Sequence, residues 1–133
     1  MSPSNNVVEP HRWPDLAGRL VEAADAHGSV HRHHVLPVRV YFEDTDFSGI
    51  VYHATYLRWC ERGRSDFLRL IGIRHEDLMA GRPVAGDEGR EASAFVVRRM
   101  GLEYLRPARI DEALEAGTRI KQLGAATLEL DQT

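Results

Sequence analysis

The sequence predicts an α+β domain in which an antiparallel sheet packs against one long helix. Three observations carry this prediction: alternating apolar and polar residues at 35–43, helical periodicity over about 51–71, and further alternating stretches from 92 onward. Alternation with a period of two is typical of strands, whereas apolar residues at three- and four-residue steps are typical of a helix. Because consecutive strands follow a single helix, the pattern favours an antiparallel sheet with the helix on one face.

Length and composition restrict the class of protein. The 133 residues suffice for one domain, and 43% hydrophobic with 28% charged residues is ordinary for a globular chain. A net charge of −3 argues against a dedicated nucleic-acid binder. The single cysteine, Cys60, excludes an intrachain disulfide framework and permits a reducing compartment. No apolar stretch approaches the roughly 20 residues that span a bilayer, so we expect a cytoplasmic protein that does not cross the membrane.

The first 34 residues differ from the rest of the chain, and we expect them to be an N-terminal appendage. Residues 1–10 form a polar tail with two prolines. Residues 13–27 carry Leu16, Leu20, Val21 and Ala24 at helical spacing, which predicts a short helix. The main domain is therefore expected to occupy residues 35–133.

Within that domain, residues 35–43 predict a strand, and DTDFSG at 44–49 is turn chemistry. A helix of about five turns should begin near Val51 or Tyr52 and end at Gly72, where a left-handed cap is favoured. Gly63 lies inside its apolar stripe, which predicts a close neighbour. The stripe comprises Tyr52, Tyr56, Trp59, Cys60, Gly63, Phe67, Leu70 and Ile71.

The second half of the chain predicts mostly strands. Residues 75–79 suggest one short helical turn, and residues 81–89 a loop rich in glycine and charge. Residues 92–105 alternate after an apolar start and predict a long strand. Two more strands are expected at 113–123 and 126–131, separated by a break at Gly124.

A family resemblance is carried by residues 38–56, which read VRVYFEDTDFSGIVYHATY. This segment resembles the acyl-CoA thioesterases of the hotdog fold, in the Tol-Pal-associated branch related to 4-hydroxybenzoyl-CoA thioesterase. Similarity continues through the helix and residues 94–115. The resemblance implies a hotdog fold, in which an antiparallel sheet wraps around one long central helix, and it implies hydrolysis of acyl-CoA to a carboxylic acid and coenzyme A.

The resemblance also implies the catalytic residues. Asp46 matches the family's carboxylate, which acts either as nucleophile or as general base on water. The oxyanion donor corresponds to the backbone N–H of His53, at the start of the helix. A helix N-terminus suits this task because its first N–H groups lack partners and its dipole is positive there. We therefore expect a cleft beside the helix start, with the Asp46 carboxylate turned toward it.

Other expectations concern binding and partners. Tyr52 adjoins the oxyanion donor, and Arg98 and Arg99 are candidates for the coenzyme A phosphates because arginine suits phosphate oxygens. An ion-pairing role for both arginines stays open. The resemblance implies no metal or other cofactor, a homo-oligomer (dimer or tetramer) with sites between subunits, and acyl carrier protein or phospholipid-synthesis enzymes as partners. Several relatives carry tyrosine where this chain has Phe42.

Competing chemistry is weaker. Cys60 and His53 are about 10 Å apart if both lie on the helix, too far for a nucleophile–base pair. Ser65 lacks the strand–turn–helix context of a hydrolase serine. His31, His33 and His34 are metal-ligand types without a third ligand at a defined spacing.

The C-terminus supports one alternative of a different class, a non-catalytic acyl-thioester-binding or scaffold protein. Family members continue beyond the position of Leu130 with the rest of a strand and one more strand, whereas this chain stops at Thr133. We expect the domain to be C-terminally incomplete and the chain to be a fragment of a longer protein. A missing strand would expose backbone groups on its neighbour.

Overall fold

Two hairpins form a four-stranded antiparallel sheet in the computed structural model, which describes residues 18–84 and 91–133. The strands are β1 (Arg19–Ala24), β2 (Val30–Arg39), β3 (Ala113–Leu123) and β4 (Leu128–Gln132), in the spatial order β1-β2-β3-β4. The first hairpin precedes the long helix along the chain and the second follows it. The strand predicted at 113–123 is confirmed, and the one predicted at 126–131 is confirmed with its bounds shifted by one or two residues.

The helix predicted over residues 13–27 is wrong wherever the structure describes it. Residues 19–24 are β1, paired with β2 through Val21 opposite His33. The turn between the strands is held by Asp25, whose carboxylate accepts the N–H groups of His27 and Ser29. Four apolar residues at helical spacing suggested a helix, but ladder hydrogen bonds with a neighbouring strand outweigh so short a pattern. Residues 13–17 lie outside the described residues.

The strand predicted at 35–43 is confirmed over residues 35–39, and both of its ends differ from the prediction. β2 begins at Val30, within the expected appendage, and ends at Arg39. A short 3₁₀ turn, Phe42–Asp44, then replaces the last predicted strand residues. The Asp44 carboxylate accepts the N–H of Tyr41 at 2.8 Å, which draws the chain out of the extended conformation.

The long helix is α1, His53–Leu70, and a short helix α2, His75–Met79, follows it. At the end of α1, Gly72 has φ 87°, its N–H donates to Arg69 O, and the N–H of Ile73 donates to Leu68 O. This pair of bonds with a left-handed residue is a Schellman cap. The predicted helix end and the role of Gly72 are therefore confirmed, as is the helical turn at 75–79.

The core lies between α1 and the centre of the sheet. Val40, Val51, Trp59 and Ala108 are buried together, at the N-terminal half of the helix. The middle of the predicted stripe is buried at Trp59, Gly63 and Phe67. Its ends are at least 40% exposed, at Tyr52, Leu70 and Ile71.

Gly63 allows α1 to approach the sheet closely. A Cβ there would lie 3.2 Å from Thr118 Oγ1, 3.6 Å from Gln132 Nε2 and 3.8 Å from Ala116 Cβ. The expected close neighbours are therefore β3 and β4. Gln132 connects the same elements, because its Nε2 donates to Cys60 O and to Thr118 Oγ1.

A buried polar contact joins β2 to α1. His34 is 0% exposed, and its Nε2 lies 2.6 Å from Asp66 Oδ2. The other ring nitrogen, Nδ1, has no hydrogen-bond partner among residues 18–84 and 91–133. The Phe67 ring lies beside the imidazole at 5.8 Å. Within the described part of the chain, the Asp66 carboxylate is therefore the one side chain that bonds this imidazole.

The long strand predicted at 92–105 is wrong. Residues 91–107 are described, and none of them belongs to a strand or bridge. Alternating polarity requires only that two faces of a segment differ, whereas a strand also requires a neighbouring backbone to pair with. Among the described residues no backbone forms a ladder with this segment. It contacts helices instead, through Ser93 N–H to Leu78 O and through Tyr104 to α1.

The predicted loop at 81–89 lies partly outside the described residues, which end at 84 and resume at 91. In the part of the chain that is described, no helix has the length and apolar character needed to cross a membrane.

Candidate active site

A tight turn returns the chain from the end of β2 to the start of α1 and carries Asp46. Thr45 and Val51 form an antiparallel bridge, and the Asp46 N–H donates to Ile50 O at 2.8 Å. Gly49 closes the turn with φ 79°, a conformation that favours glycine, and its N–H donates to Asp46 O. The turn predicted at 44–49 is therefore confirmed.

The Asp46 carboxylate is held by Ser48. Its Oδ1 accepts the Ser48 N–H at 2.8 Å and the Ser48 hydroxyl at 2.6 Å. The hydroxyl hydrogen bond, together with the backbone bonds of Ser48 and Ile50, lowers the pKa of Asp46 below its ordinary value, against a smaller opposing effect of desolvation. Hydrogen bonds to the charged form favour it, so Asp46 remains a carboxylate at lower pH than an ordinary aspartate.

Asp46 is exposed in the single chain, which corrects the expectation of a cleft around it. Two concavities of about 370 and 350 Å³ lie on the sheet, between β2 and β3 and between β3 and β4, and Asp46 lines neither of them. The Asp46 carboxylate is bonded by Ser48 of its own turn and is otherwise open to solvent, so the single chain does not enclose it.

The N-terminus of α1 is open to a ligand. Tyr52 is the N-cap residue, its N–H donates to Asp44 O at 2.9 Å, and no side chain of the described residues caps the helix. Thr55 N–H turns back to Tyr52 O, but the N–H groups of His53 and Ala54 have no acceptor among the described residues. Two unpaired donors at the positive end of a helix dipole suit a developing oxyanion.

Aromatic side chains surround this helix start. The Tyr52 and His53 rings lie 4.3 Å apart between centroids, and both side chains are exposed. Tyr104, from the extended segment 91–107, donates its hydroxyl to His53 O at 2.9 Å and packs edge-on against Tyr56. The Tyr56 hydroxyl accepts the Ala108 N–H at 3.0 Å.

The remaining candidates are less clearly placed. Arg98 and Arg99 are exposed on the extended segment, and no contact of the described residues joins them to Asp46. Phe42 is 82% exposed and its neighbour Tyr41 is exposed as well. The Asp44 side chain holds the 3₁₀ turn and its carbonyl receives Tyr52 N–H, which confirms a turn-forming role for this residue.

Sequence reasoning missed two residues of this site. Ser48 could have been found, because a serine two residues after an aspartate in a turn commonly donates to that carboxylate. Tyr104 had no such signal, since its contact with His53 joins residues 51 positions apart.

The competing sites are weak in the structure. Burial raises the pKa of the Cys60 thiol, which therefore stays protonated and is a poor nucleophile. The Ser65 hydroxyl contacts both Glu61 (2.7 Å) and His75 (3.0 Å), but the carboxylate bonds the serine rather than orienting the imidazole as a catalytic triad requires.

The histidines of β2 are directed to different partners. His31 contacts Asp25 at 3.0 Å, whereas His34 points inward to Asp66. Among residues 18–84 and 91–133, no three His, Cys, Asp or Glu side chains come close enough together to hold a metal ion.

Comparison with known proteins places the chain in a family. A family model described as the thioesterase superfamily matches residues 48–133. The chain belongs to the thioesterase superfamily. Thioesterase relatives include the acyl-CoA thioester hydrolase YbgC of Escherichia coli O6:H1, 44% identical over 96 residues, and the acyl-CoA thioesterase YbgC of Haemophilus influenzae, 35% identical over 96 residues. Each alignment covers 72% of this chain and 64% of the relative, so the chain spans less than two thirds of their length.

The thioesterase fold is supported by a solved structure. A probable thioesterase from Bartonella henselae matches with a TM-score of 0.65 and 44% sequence identity, covering 75% of this chain and 76% of that one. The α+β hotdog arrangement expected from the sequence, an antiparallel sheet against one long helix, is confirmed.

Proposed function

We propose that this protein hydrolyses acyl-CoA thioesters to a free carboxylic acid and coenzyme A. The strongest support is the position of a low-pKa carboxylate, Asp46, on a turn that leads directly to the uncapped N-terminus of α1. Membership of the thioesterase superfamily and the similarity to acyl-CoA thioesterases support the same chemistry. No metal or other cofactor enters the proposed reaction.

In the proposed reaction, the thioester carbonyl oxygen accepts hydrogen bonds at the start of α1, principally from the His53 N–H. These bonds strengthen as the oxygen becomes an oxyanion, and loss of one such donor typically costs about 10²–10³ in rate. Tyr52, the N-cap residue, lines the same position with its exposed ring. The carbonyl carbon is then the atom that Asp46 or its water attacks.

Asp46 acts in this scheme either as a general base or as a nucleophile. As general base, it takes a proton from water while the water oxygen bonds to the carbonyl carbon, and the C–S bond then breaks and the thiolate takes up the proton. As nucleophile, its own oxygen bonds to the carbon and expels the thiolate, and water then hydrolyses the resulting anhydride. A lowered pKa keeps the carboxylate available for either role, but it weakens a general base.

The proposed site is completed by a second copy of the chain, as a dimer or a tetramer. Asp46 is exposed in one chain, and the turn around it carries Phe42 and Phe47, both more than 80% exposed. Val96 and Leu105 on the extended segment are each 84% exposed. In this proposal the second copy covers these exposed apolar side chains. Sedimentation equilibrium should therefore give at least a dimeric mass, and a monomer at micromolar concentration would contradict this part of the scheme.

Coenzyme A would be bound at the edge of this site. Arg98 and Arg99 are exposed cations on the extended segment, suited to its phosphates. A cytoplasmic location fits such a substrate, and acyl carrier protein or phospholipid-synthesis enzymes are the partners that we propose for it.

The test is thiol release from short-chain, long-chain and aromatic acyl-CoAs, measured with a thiol reagent. Asp46→Asn keeps the size of the side chain and removes the charge, so kcat/KM should fall by about 100-fold or more. Glu43→Gln is the matched control, because it removes a carboxylate of the neighbouring 3₁₀ turn, and its kcat/KM should stay within about twofold. Equal rates for the protein and Asp46→Asn would end the catalytic assignment.

A non-catalytic acyl-thioester-binding protein is the alternative. It predicts that acyl-CoA binds, as seen by calorimetry, while thiol release stays at the background rate for both the unaltered protein and Asp46→Asn. Binding with turnover excludes it.

A further inference from the structure

The peptide unit that joins His53 to Ala54 has a side-chain hydrogen bond at its carbonyl oxygen and a free N–H among the described residues. Its carbonyl oxygen accepts the hydroxyl of Tyr104 at 2.9 Å, whereas its N–H, on Ala54, has no acceptor among the described residues. The carbonyl and the N–H of one peptide unit share the same delocalised electrons. Donation to the oxygen therefore draws electron density from the nitrogen and strengthens the N–H as a donor.

We propose that Tyr104 is a positioning residue for the thioester: through the His53–Ala54 peptide, its hydroxyl polarises the Ala54 N–H and makes that group a second oxyanion donor beside the His53 N–H. This inference rests on the proposed function. Tyr104 does not touch the reacting atoms itself. Its effect is confined to the charge that develops in the transition state, because a more polarised donor is worth most against an oxyanion.

The surrounding contacts fix the Tyr104 hydroxyl in place. The ring packs edge-on against Tyr56 with 5.7 Å between centroids, and the Tyr56 hydroxyl accepts the Ala108 N–H. Ala108 O in turn accepts the Val51 N–H at 2.8 Å, two residues before α1 begins. Besides the hydroxyl bond itself, these three contacts hold Tyr104 and the nearby Ala108 to the start of the helix. Little reorganisation is needed when the oxygen becomes charged.

A purely structural role for Tyr104 makes different predictions. If the hydroxyl only ties the extended segment to α1, its loss should lower stability and disturb binding and turnover together. If it polarises the Ala54 N–H, its loss should reduce kcat, leave KM nearly unchanged and change the electronic environment of one amide proton.

The experiment is Tyr104→Phe, which removes one oxygen and keeps the ring against Tyr56. Tyr41→Phe is the matched control, because that phenol is 63% exposed and its ring has no part in the site. For Tyr104→Phe we expect kcat to fall about twofold to eightfold, with KM within about twofold, because polarisation through a neighbouring bond changes a hydrogen bond by about 10–30% and one oxyanion donor is worth about 10²–10³ in rate. The Ala54 amide proton in a ¹H–¹⁵N spectrum should move upfield, whereas Tyr41→Phe should change neither quantity.

The outcomes separate this inference from the proposed function. If the unaltered protein releases no thiol, the proposed function fails, and an unmoved Ala54 resonance in Tyr104→Phe would overturn the polarisation as well. If the protein is active, either an unchanged kcat or a reduced kcat with an unmoved Ala54 resonance overturns the inference.

Discussion

Replacing Asp66 with alanine should destabilise the fold more than most substitutions at a partly exposed helix position do. The carboxylate is the hydrogen-bond partner of His34, whose side chain is completely buried and whose second ring nitrogen has no partner among the residues that the structure describes. Asp66→Ala would leave both ring nitrogens without a partner from those residues. An unsatisfied buried polar group costs about 1–3 kcal/mol, and complete burial places the expected loss at about 2–3 kcal/mol. With a urea dependence of about 2 kcal/mol per molar, the unfolding midpoint should fall by about 1–1.5 M.

A double-mutant cycle with His34→Leu gives the decisive measurement. Leucine removes the imidazole and leaves an apolar side chain beside Phe67, so the Asp66 carboxylate, 25% exposed, can be hydrated. In that background Asp66→Ala should cost less than about 0.5 kcal/mol, giving a coupling energy above about 1.5 kcal/mol. If Asp66→Ala cost the same free energy of unfolding in both backgrounds, the reasoning would be refuted. The loss would then not depend on the contact with His34.

Two further predictions concern the turn at Asp46 and the end of α1. Ser48→Ala removes the hydrogen bond that most lowers the pKa of Asp46. Because the reactive form is the carboxylate, the acid limb of kcat/KM should move to higher pH, and an unmoved limb would mean that Asp46 is not the titrating group. Gly72→Ala places a side chain at φ 87° and should cost about 1–2 kcal/mol in urea unfolding. A loss below about 0.5 kcal/mol would contradict the strain.

Much of the fold was predictable because its signals are local. The periodicity of α1 and the glycine after it define a helix and its cap from neighbours within one or two turns. Gly49 and the acidic residues of the turn before the helix fix that turn through residues only four or five positions apart. β3 was predicted with its observed bounds, since alternation over eleven residues is unambiguous.

The errors occurred where pairing with another segment decided the outcome. Residues 19–24 became β1 because β2 pairs with them, and the alternating residues 92–105 did not join the sheet because no described backbone pairs with them. Neither fact is encoded in the spacing of the segment itself. The prediction of a cleft around Asp46 was wrong for a related reason. A residue on a turn is enclosed only if another segment packs against that turn.

The amino-acid sequence by itself determined the long capped helix, the turn with Asp46 before it and the acyl-CoA thioesterase resemblance. Tertiary structure alone decided that Tyr104 reaches the first turn of α1, that His34 depends on Asp66, and that Asp46 stays exposed in one chain. Helix periodicity and turn chemistry act between near neighbours, whereas these contacts join residues 32 and 51 positions apart, which only the folded chain brings together.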